Sequence, residues 1–273
     1  MHDHLSWSYR DRGDFVRRVN EFLTDGLALG LRCMYTADRP LSELRADLAP
    51  LPDLQAQLDR GALMITTMAE LYDEIEVIDS DVMLASLSAT VEETLAAGYA
   101  GLRIAADVTP LVRTPEQLCA FAAWEHTVDR YVSANPLSGL CAFDRTQVSE
   151  SAAVILAGMH PVARAGSAPF GVFAPDGPAD LAVAGEIDVS VAREFRTCLG
   201  RTRLGVAREL VVDGTRLDFV DHRGLESIRD FAHGFGATAV LRTSSGLPAR
   251  LIGLLGLEGI RAEPTVVAEE VRT

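Results

Sequence analysis

Glu209-Leu-Val-Val-Asp-Gly-Thr-Arg-Leu-Asp-Phe-Val-Asp-His-Arg-Gly-Leu225 is the stretch on which the fold turns. Leu210 to Asp213 reads as a short apolar strand, the polar residues after it as a turn, and Gly224-Leu225 as the start of a helix. Asp221 stands one turn ahead of that start, where a carboxylate can accept hydrogen bonds from the free N–H groups of the first helical turn. A strand that hands over directly to a capped helix predicts an α/β layer, with the helix N-terminus at a surface where a partner can dock.

Working outward, Asp180-Leu-Ala-Val-Ala-Gly-Glu-Ile-Asp188 alternates as a half-buried strand, and Asp188 follows it in helix-capping position. Val191, Phe195 and Leu199 then fall at helical spacing, as do Leu225, Ile228, Ala232 and Phe235. Ala237 to Thr243 reads as another strand and Pro248 to Leu255 as a closing helix, while Ala262 to Thr273, acidic and interrupted by Pro264, reads as a frayed tail.

With Leu-Ala-Val-Ala-Gly-Glu-Ile-Asp188, Asp221-His-Arg-Gly-Leu225 and the ending Leu-Gly-Leu-Glu-Gly-Ile260 in order, residues 170 to 260 resemble the STAS domain of anti-sigma factor antagonists. The resemblance implies a mixed sheet with helices on one side and a docking surface made of Glu186, Asp188, Asp221, His222, Arg223 and Gly224. It also implies a partner of the GHKL ATPase type, an anti-sigma factor or switch kinase. Many members carry a phosphorylated Ser or Thr just before the motif glycine; Arg223 holds that place here. A cation at a helix N-terminus opposes the macrodipole, which suggests an acidic partner surface, drift after loss of the switch being the plain alternative.

The first half alternates strand-like and helix-like stretches. Strands are expected at Leu5–Tyr9, Leu31–Thr36, Ala62–Thr67, Gly101–Ala106 and Ser138–Phe143. Helices are expected from Phe15 to Leu27, Leu41 to Leu58, around Leu84 to Leu95, from Pro115 to Ser133 and from Ser149 to Ala157. Such β-α repetition predicts a parallel sheet covered on both faces. Residues 161 to 179, rich in Pro, Gly and Ala, read as a linker, so domains are expected at 1–166 and 167–264 with a tail at 265–273.

Asp3-His4-Leu5 with Tyr9, Gly26 to Tyr35, Ala97-Gly-Tyr-Ala-Gly-Leu-Arg103, Cys141-Ala-Phe-Asp144 and His160-Pro161 resemble the MEDS sensory domain, whose fold is RecA-like. That resemblance implies the sensing of a small hydrocarbon-derived ligand. Where a related ATPase would carry a phosphate loop, this chain has Ser8-Tyr-Arg-Asp-Arg-Gly-Asp14.

Glu125 interrupts the apolar stripe Leu118, Phe121, Val128, Val132 and must face the interior or a pocket. Burying an unpaired carboxylate costs on the order of several kcal/mol, so a partner is expected, His4 and Arg103 being the candidates. A structural ion pair is the plain reading; a ligand-sensing acid is the sharper one. Trp7 and Tyr9, with Cys33 and Tyr35, are core residues or the lining of an apolar pocket. Asp107 ends a strand where open α/β sheets place their ligands. His2, His4, His126 and His160 lack the spacing of a metal motif, so neither metal nor cofactor is expected.

All 25 basic residues are Arg, which excludes lysine-dependent chemistry, and the net charge of −14 disfavours nucleic acid. Most of that charge belongs to residues 1–165, with 13 Arg against 24 acids. Cys33, Cys119, Cys141 and Cys198 are scattered, as reduced thiols would be. The opening residues lack a signal peptide's basic and apolar regions, and no run is long enough to span a membrane, so a cytoplasmic location is expected. The reading is a non-enzymatic signalling regulator, a homodimer being compatible with it. The alternatives are a scaffold subunit of a stress-signalling assembly, or a sensor-enzyme acting on a small molecule.

Overall fold

A computed structural model describes residues 4–72 and 77–265. Of the residues named above, His2, Asp3 and the tail beyond Thr265 lie outside that range. The chain divides into two compact units, Met1–Ser167 and Ala168–Thr273.

In the first unit the strands are β1 (His4–Tyr9), β2 (Arg32–Ala37), β3 (Leu63–Thr67), β4 (Leu102–Asp107), β5 (Leu137–Asp144) and β6 (Val162–Ala163). They form a 6-stranded sheet in the order β3-β2-β4-β5-β1-β6, and every described pairing in it is parallel. The helices are α1 (Arg12–Ala28), α2 (Leu41–Asp47), α3 (Leu54–Asp59), α4 (Met68–Tyr72), α5 (Ser80–Ala96), α6 (Pro115–Ala134) and α7 (Glu150–Gly158). The expected single helix from Leu41 to Leu58 is two, because Pro50 and Pro52 intervene and Asp53 takes a left-handed φ of 51°.

Strand order decides which face each helix covers. Crossovers between parallel strands are right-handed, so the direction of travel across the sheet fixes the side on which the connecting helix lies. β1 to β2 and β2 to β3 move toward the β3 edge, whereas β3 to β4, β4 to β5 and β5 to β6 move the other way. Hence α1, α2 and α3 pack on one face, around Phe15, Phe22, Leu44 and Tyr35. α4 to α7 pack on the other, around Met68, Val91, Phe121 and Leu156. Side chains alternate along each strand, so Leu5, Trp7 and Tyr9 of β1 join the first core while His4, Ser6 and Ser8 point to the second.

The second unit has strands β7 (Phe170–Phe173), β8 (Leu181–Ile187), β9 (Glu209–Val220), β10 (Thr238–Thr243) and β11 (Ile260–Pro264), and helices α8 (Ala192–Leu199), α9 (His222–Gly234) and α10 (Leu247–Leu255). Its 5-stranded sheet runs β11-β10-β9-β8-β7, parallel except for the antiparallel β7–β8 pair. Each crossover from β8 onward moves the same way, which places α8, α9 and α10 on one side.

Three expectations need correction here. No turn follows Asp213: β9 continues to Val220, and register shifts against β8 absorb the irregularity, with the Asp213 carboxylate accepting from Thr215 N and Oγ1. Ala262 to Pro264 is not frayed but belongs to β11, where Pro can end an edge strand without costing a ladder bond. Asp188 does not cap α8, which starts four residues later at Ala192 with Val191 in the cap position; its carboxylate accepts from Ser190 N and Oγ instead. Asp221 does cap α9, accepting from Gly224 N at 2.9 Å. At Gly185, φ is 75° and a Cβ would collide with the Pro169 carbonyl, so the bulged end of β8 admits only glycine.

Candidate functional site

Glu125 lies in the middle of α6 with 0% exposure, on the helix face turned toward the sheet. Directly beneath it is the start of β1, where His4 Nε2 lies 3.0 Å from Glu125 Oε2. The imidazole fits there because its neighbour across the β1–β5 pairing is Gly139, whose missing side chain leaves room for the ring. Two residues along β5, Cys141 faces the same side, its Sγ 3.6 Å from His4 Nε2 and 3.7 Å from Glu125 Oε2. His160, just past the end of α7, brings its Nε2 to 3.2 Å from Glu125 Oε2. One helical turn beyond Glu125, Asp129 Oδ1 meets His4 Nδ1 at 2.9 Å. The rings of His4 and His160 are 4.3 Å apart.

Burial and charge pull these groups in opposite directions. Burial alone would raise the Glu125 carboxyl, but His160 and His4 outweigh it and hold it well below the carboxylate range. Burial alone would lower both imidazoles; Asp129, Cys141 and Glu125 raise His4 well above its ordinary value, and the Glu125 charge raises His160. The cluster therefore holds its charge by mutual compensation inside the protein. His126, next in sequence to Glu125, points elsewhere and is pushed down to about 4 by burial, so it stays neutral.

His4 and Cys141 also help line a cavity of about 130 Å³ between the sheet and α5 and α6. Its walls are mostly apolar: Met34, Ile104 and Ala106 from the sheet, Met83 and Leu87 from α5, Phe121, Trp124 and Val128 from α6. Engineered apolar cavities of about 150 Å³ stay dry and take up benzene, so this one suits a molecule of that size or smaller.

Of the residues singled out for ligand binding, His4 and Glu125 come together in this cluster, Tyr9 and Asp107 meet at a separate place, and Trp7 and Arg103 join neither pair. Arg103 sits on the opposite face of β4, its guanidinium 3.9 Å from the Phe22 ring centroid, because strand alternation sends residue 103 toward α1. Trp7 is on that face too, between the guanidinium groups of Arg18 and Arg164. Cys33 and Tyr35 are core residues rather than a pocket lining, and Tyr9, packed in the same core, lines a separate polar cavity at the C-terminal ends of the strands. There Tyr9 OH donates to Asp107 Oδ2 at 2.7 Å, and Arg10, Arg12, Arg39 and Arg113 help line the cavity, of about 300 Å³. Asp107 accepts further from Thr109 N and Oγ1. Asp129 and Cys141, which have no ligand role in the sequence reading, complete the cluster. The i, i+4 spacing of Glu125 and Asp129, and the alternation of Gly139, Cys141 and Phe143 along one strand, were the available signals.

In the second unit, β8 and α9 meet where Asp221 N donates to Ile187 O at 2.9 Å. Gly224 packs so closely on Ile187 and Val220 that a Cβ would clash. Glu186, Val189, Phe219, His222 and Arg223 are exposed around this junction.

A parallel sheet covered on both faces, with a mostly apolar cavity beside it, makes the first unit an α/β domain. The family described as MEDS, MEthanogen/methylotroph, DcmR Sensory domain, matches residues 3–161, and the chain belongs to that family. Membership gives it a signalling or sensory role. No curated protein matches the chain. No helix among the described residues is long and apolar enough to cross a membrane.

Proposed function

We propose that this chain is a cytoplasmic, non-enzymatic signalling regulator whose first unit binds a small, largely apolar molecule and whose second unit relays occupancy to a protein partner. The observation that carries the reading is the cavity of about 130 Å³ with mostly apolar walls, which His4 and Cys141 help line. Apolar walls favour a hydrocarbon skeleton, and polar groups in the lining such as His4 and Cys141 can receive one heteroatom of a hydrocarbon derivative. Ligand held there would couple α5 and α6 to the sheet, since those elements supply most of the lining.

The second unit resembles a STAS domain in its Gly-Glu-Ile-Asp188 and Asp221-His-Arg-Gly-Leu225 motifs, and the strand order with helices on one side supports that reading. The proposed partner is an anti-sigma factor or switch kinase of the GHKL ATPase type, which would make the chain a transcription regulator. The exposed ring of Glu186, Val189, Phe219, His222 and Arg223 beside the junction of β8 and α9 is the proposed docking surface.

Titrating the full chain with a panel of benzene-sized and smaller hydrocarbon derivatives tests the first part. Saturable binding is expected, with a rise in stability of about 2.7 kcal/mol at a hundredfold excess over Kd. Ala106→Leu should fill the cavity and abolish it. A flat response to the whole panel, or unchanged binding by Ala106→Leu, would sink the reading.

A further inference from the structure

The buried cluster has its donors arranged as metal ligands are. His4 turns Nε2 inward and engages Asp129 through Nδ1; His160 turns Nε2 inward and donates from Nδ1 to the Leu156 carbonyl at 2.8 Å. An imidazole whose outer nitrogen is fixed on a carboxylate or carbonyl presents the inner nitrogen as a lone pair once that nitrogen's proton is given up, the usual setting of a metal-binding histidine. His160 Nε2 makes no aligned hydrogen bond despite lying 3.2 Å from Glu125 Oε2, and buried Glu125 Oε1 has no hydrogen-bond partner. Unsatisfied polar atoms at such depth are costly unless something else meets them.

Spacing points the same way. A tetrahedral ion with nitrogen and oxygen ligands at about 2.0–2.1 Å and sulfur at about 2.3 Å separates its ligand atoms by roughly 3.3 to 3.6 Å. Measured contacts about Glu125 Oε2 and His4 Nε2 are 3.0, 3.2, 3.6 and 3.7 Å, and all four donor atoms lie within 4.8 Å of one another.

We propose that His4 Nε2, Glu125 Oε2, Cys141 Sγ and His160 Nε2 bind one divalent transition-metal ion, zinc being the ion best matched to two imidazoles, a thiolate and a carboxylate. The thiol proton, and any proton on the two Nε2 atoms, leave to solvent as the ion binds. The ion ties β1 and β5 to α6 and to the segment after α7. Because His4 and Cys141 also help line the apolar cavity, the ion fixes that part of its lining. This inference rests on the donor geometry alone and does not depend on the ligand reading.

The test strips the full chain with a chelator, then titrates it with cobalt(II) and zinc(II), with no organic ligand present. One equivalent per chain is expected, with a near-ultraviolet thiolate-to-cobalt band, tetrahedral d–d bands in the red, and displacement of both by zinc. Cys141→Ser should lose the thiolate band, whereas Cys119→Ser should keep it. If Cys141→Ser does not fold, the unmodified chain still decides: zinc should slow alkylation of Cys141 about tenfold or more and leave Cys119 unaffected. Binding below a small fraction of an equivalent, a cobalt spectrum without the thiolate band, or alkylation of Cys141 indifferent to zinc would overturn the proposal.

Discussion

His4 Nδ1 and Asp129 Oδ1 meet at 2.9 Å across 125 residues of sequence, both fully shut off from solvent. This contact sets the plane of the His4 ring and so aims Nε2 at Glu125. Asp129→Ala should lose about 3–5 kcal/mol of stability, the usual result of leaving a buried ionic partner uncompensated. Asp129→Asn, which retains a hydrogen-bonding side chain, should lose less. Urea denaturation of the full chain measures both, and a loss below about 1 kcal/mol for the alanine variant would mean the pair is no stronger than a surface ion pair.

Glu125 compensates two imidazoles at once. Under the ligand-sensing reading of Glu125 alone, an apolar replacement would cost nothing, or stabilise. With His4 and His160 both against the carboxylate, Glu125→Leu should destabilise by about 3–5 kcal/mol, and Glu125→Gln by less. A Glu125→Leu protein as stable as the parent would show that neither ring carries charge.

Magnesium-ATP should give a flat calorimetric trace with the full chain. The N-terminus of α1, where a phosphate loop would cradle phosphates, already accommodates the Asp11 carboxylate, which accepts from Asp14 N at 3.0 Å. Asp14, already paired with Arg17 and Arg164, adds a second carboxylate there, and the chain has no lysine to offer the phosphates. Micromolar binding would point to another route, the arginine-lined cavity beside Tyr9 and Asp107 first.

Arg223 stands exposed in the first turn of α9 with no hydroxyl to accept a phosphoryl group, and residues 219–226 contain no Ser, Thr or Tyr. Incubation with switch kinases and ATP should leave that peptide unmodified in mass spectrometry. Arg223→Glu should raise stability by about 0.3–1 kcal/mol, because it replaces a cation with an anion at the positive end of the helix. A drop in stability would mean Arg223 makes a favourable local contact that outweighs the dipole.

Alkaline pH should destabilise the fold. Burial pushes the Cys33 thiol up to about 12, and burial together with Asp107 and Asp47 raises the Tyr9 and Tyr35 phenols. Since these groups ionise more easily in the unfolded chain, stability is full below their unfolded values, about 8.5 for cysteine and about 10 for tyrosine, and falls as pH rises beyond them. In the native protein near pH 8, Cys33 and the buried Cys198, whose thiol is raised as well, should resist alkylation, while all four cysteines should react in denaturant. Rapid native labelling of Cys33 would contradict its burial.

Much of this molecule was legible in order along the chain. Helical periodicity located α1, α5, α6 and α9, alternation located β1 and β8, and a single acid in the stripe from Leu118 to Val132 marked where the interior had to be polar. Local pattern is enough for such features because each depends on residues within a few turns of one another. What the pattern could not carry was the sense of the alternation. His4 and Arg103 look alike as polar residues in apolar strands, yet the strand order sends His4 to the α6 side and Arg103 to the α1 side. β9 extends past Asp213 because the end of β8, from Ala184 to Ile187, pairs with Arg216 to Val220, and Ile260–Pro264 becomes a strand because β10 offers it an open edge. Residue types and periods, set locally, determined the elements; which residues share a face, and so the meeting of His4, Glu125, Asp129, Cys141 and His160, was decided by crossovers that connect distant parts of the chain.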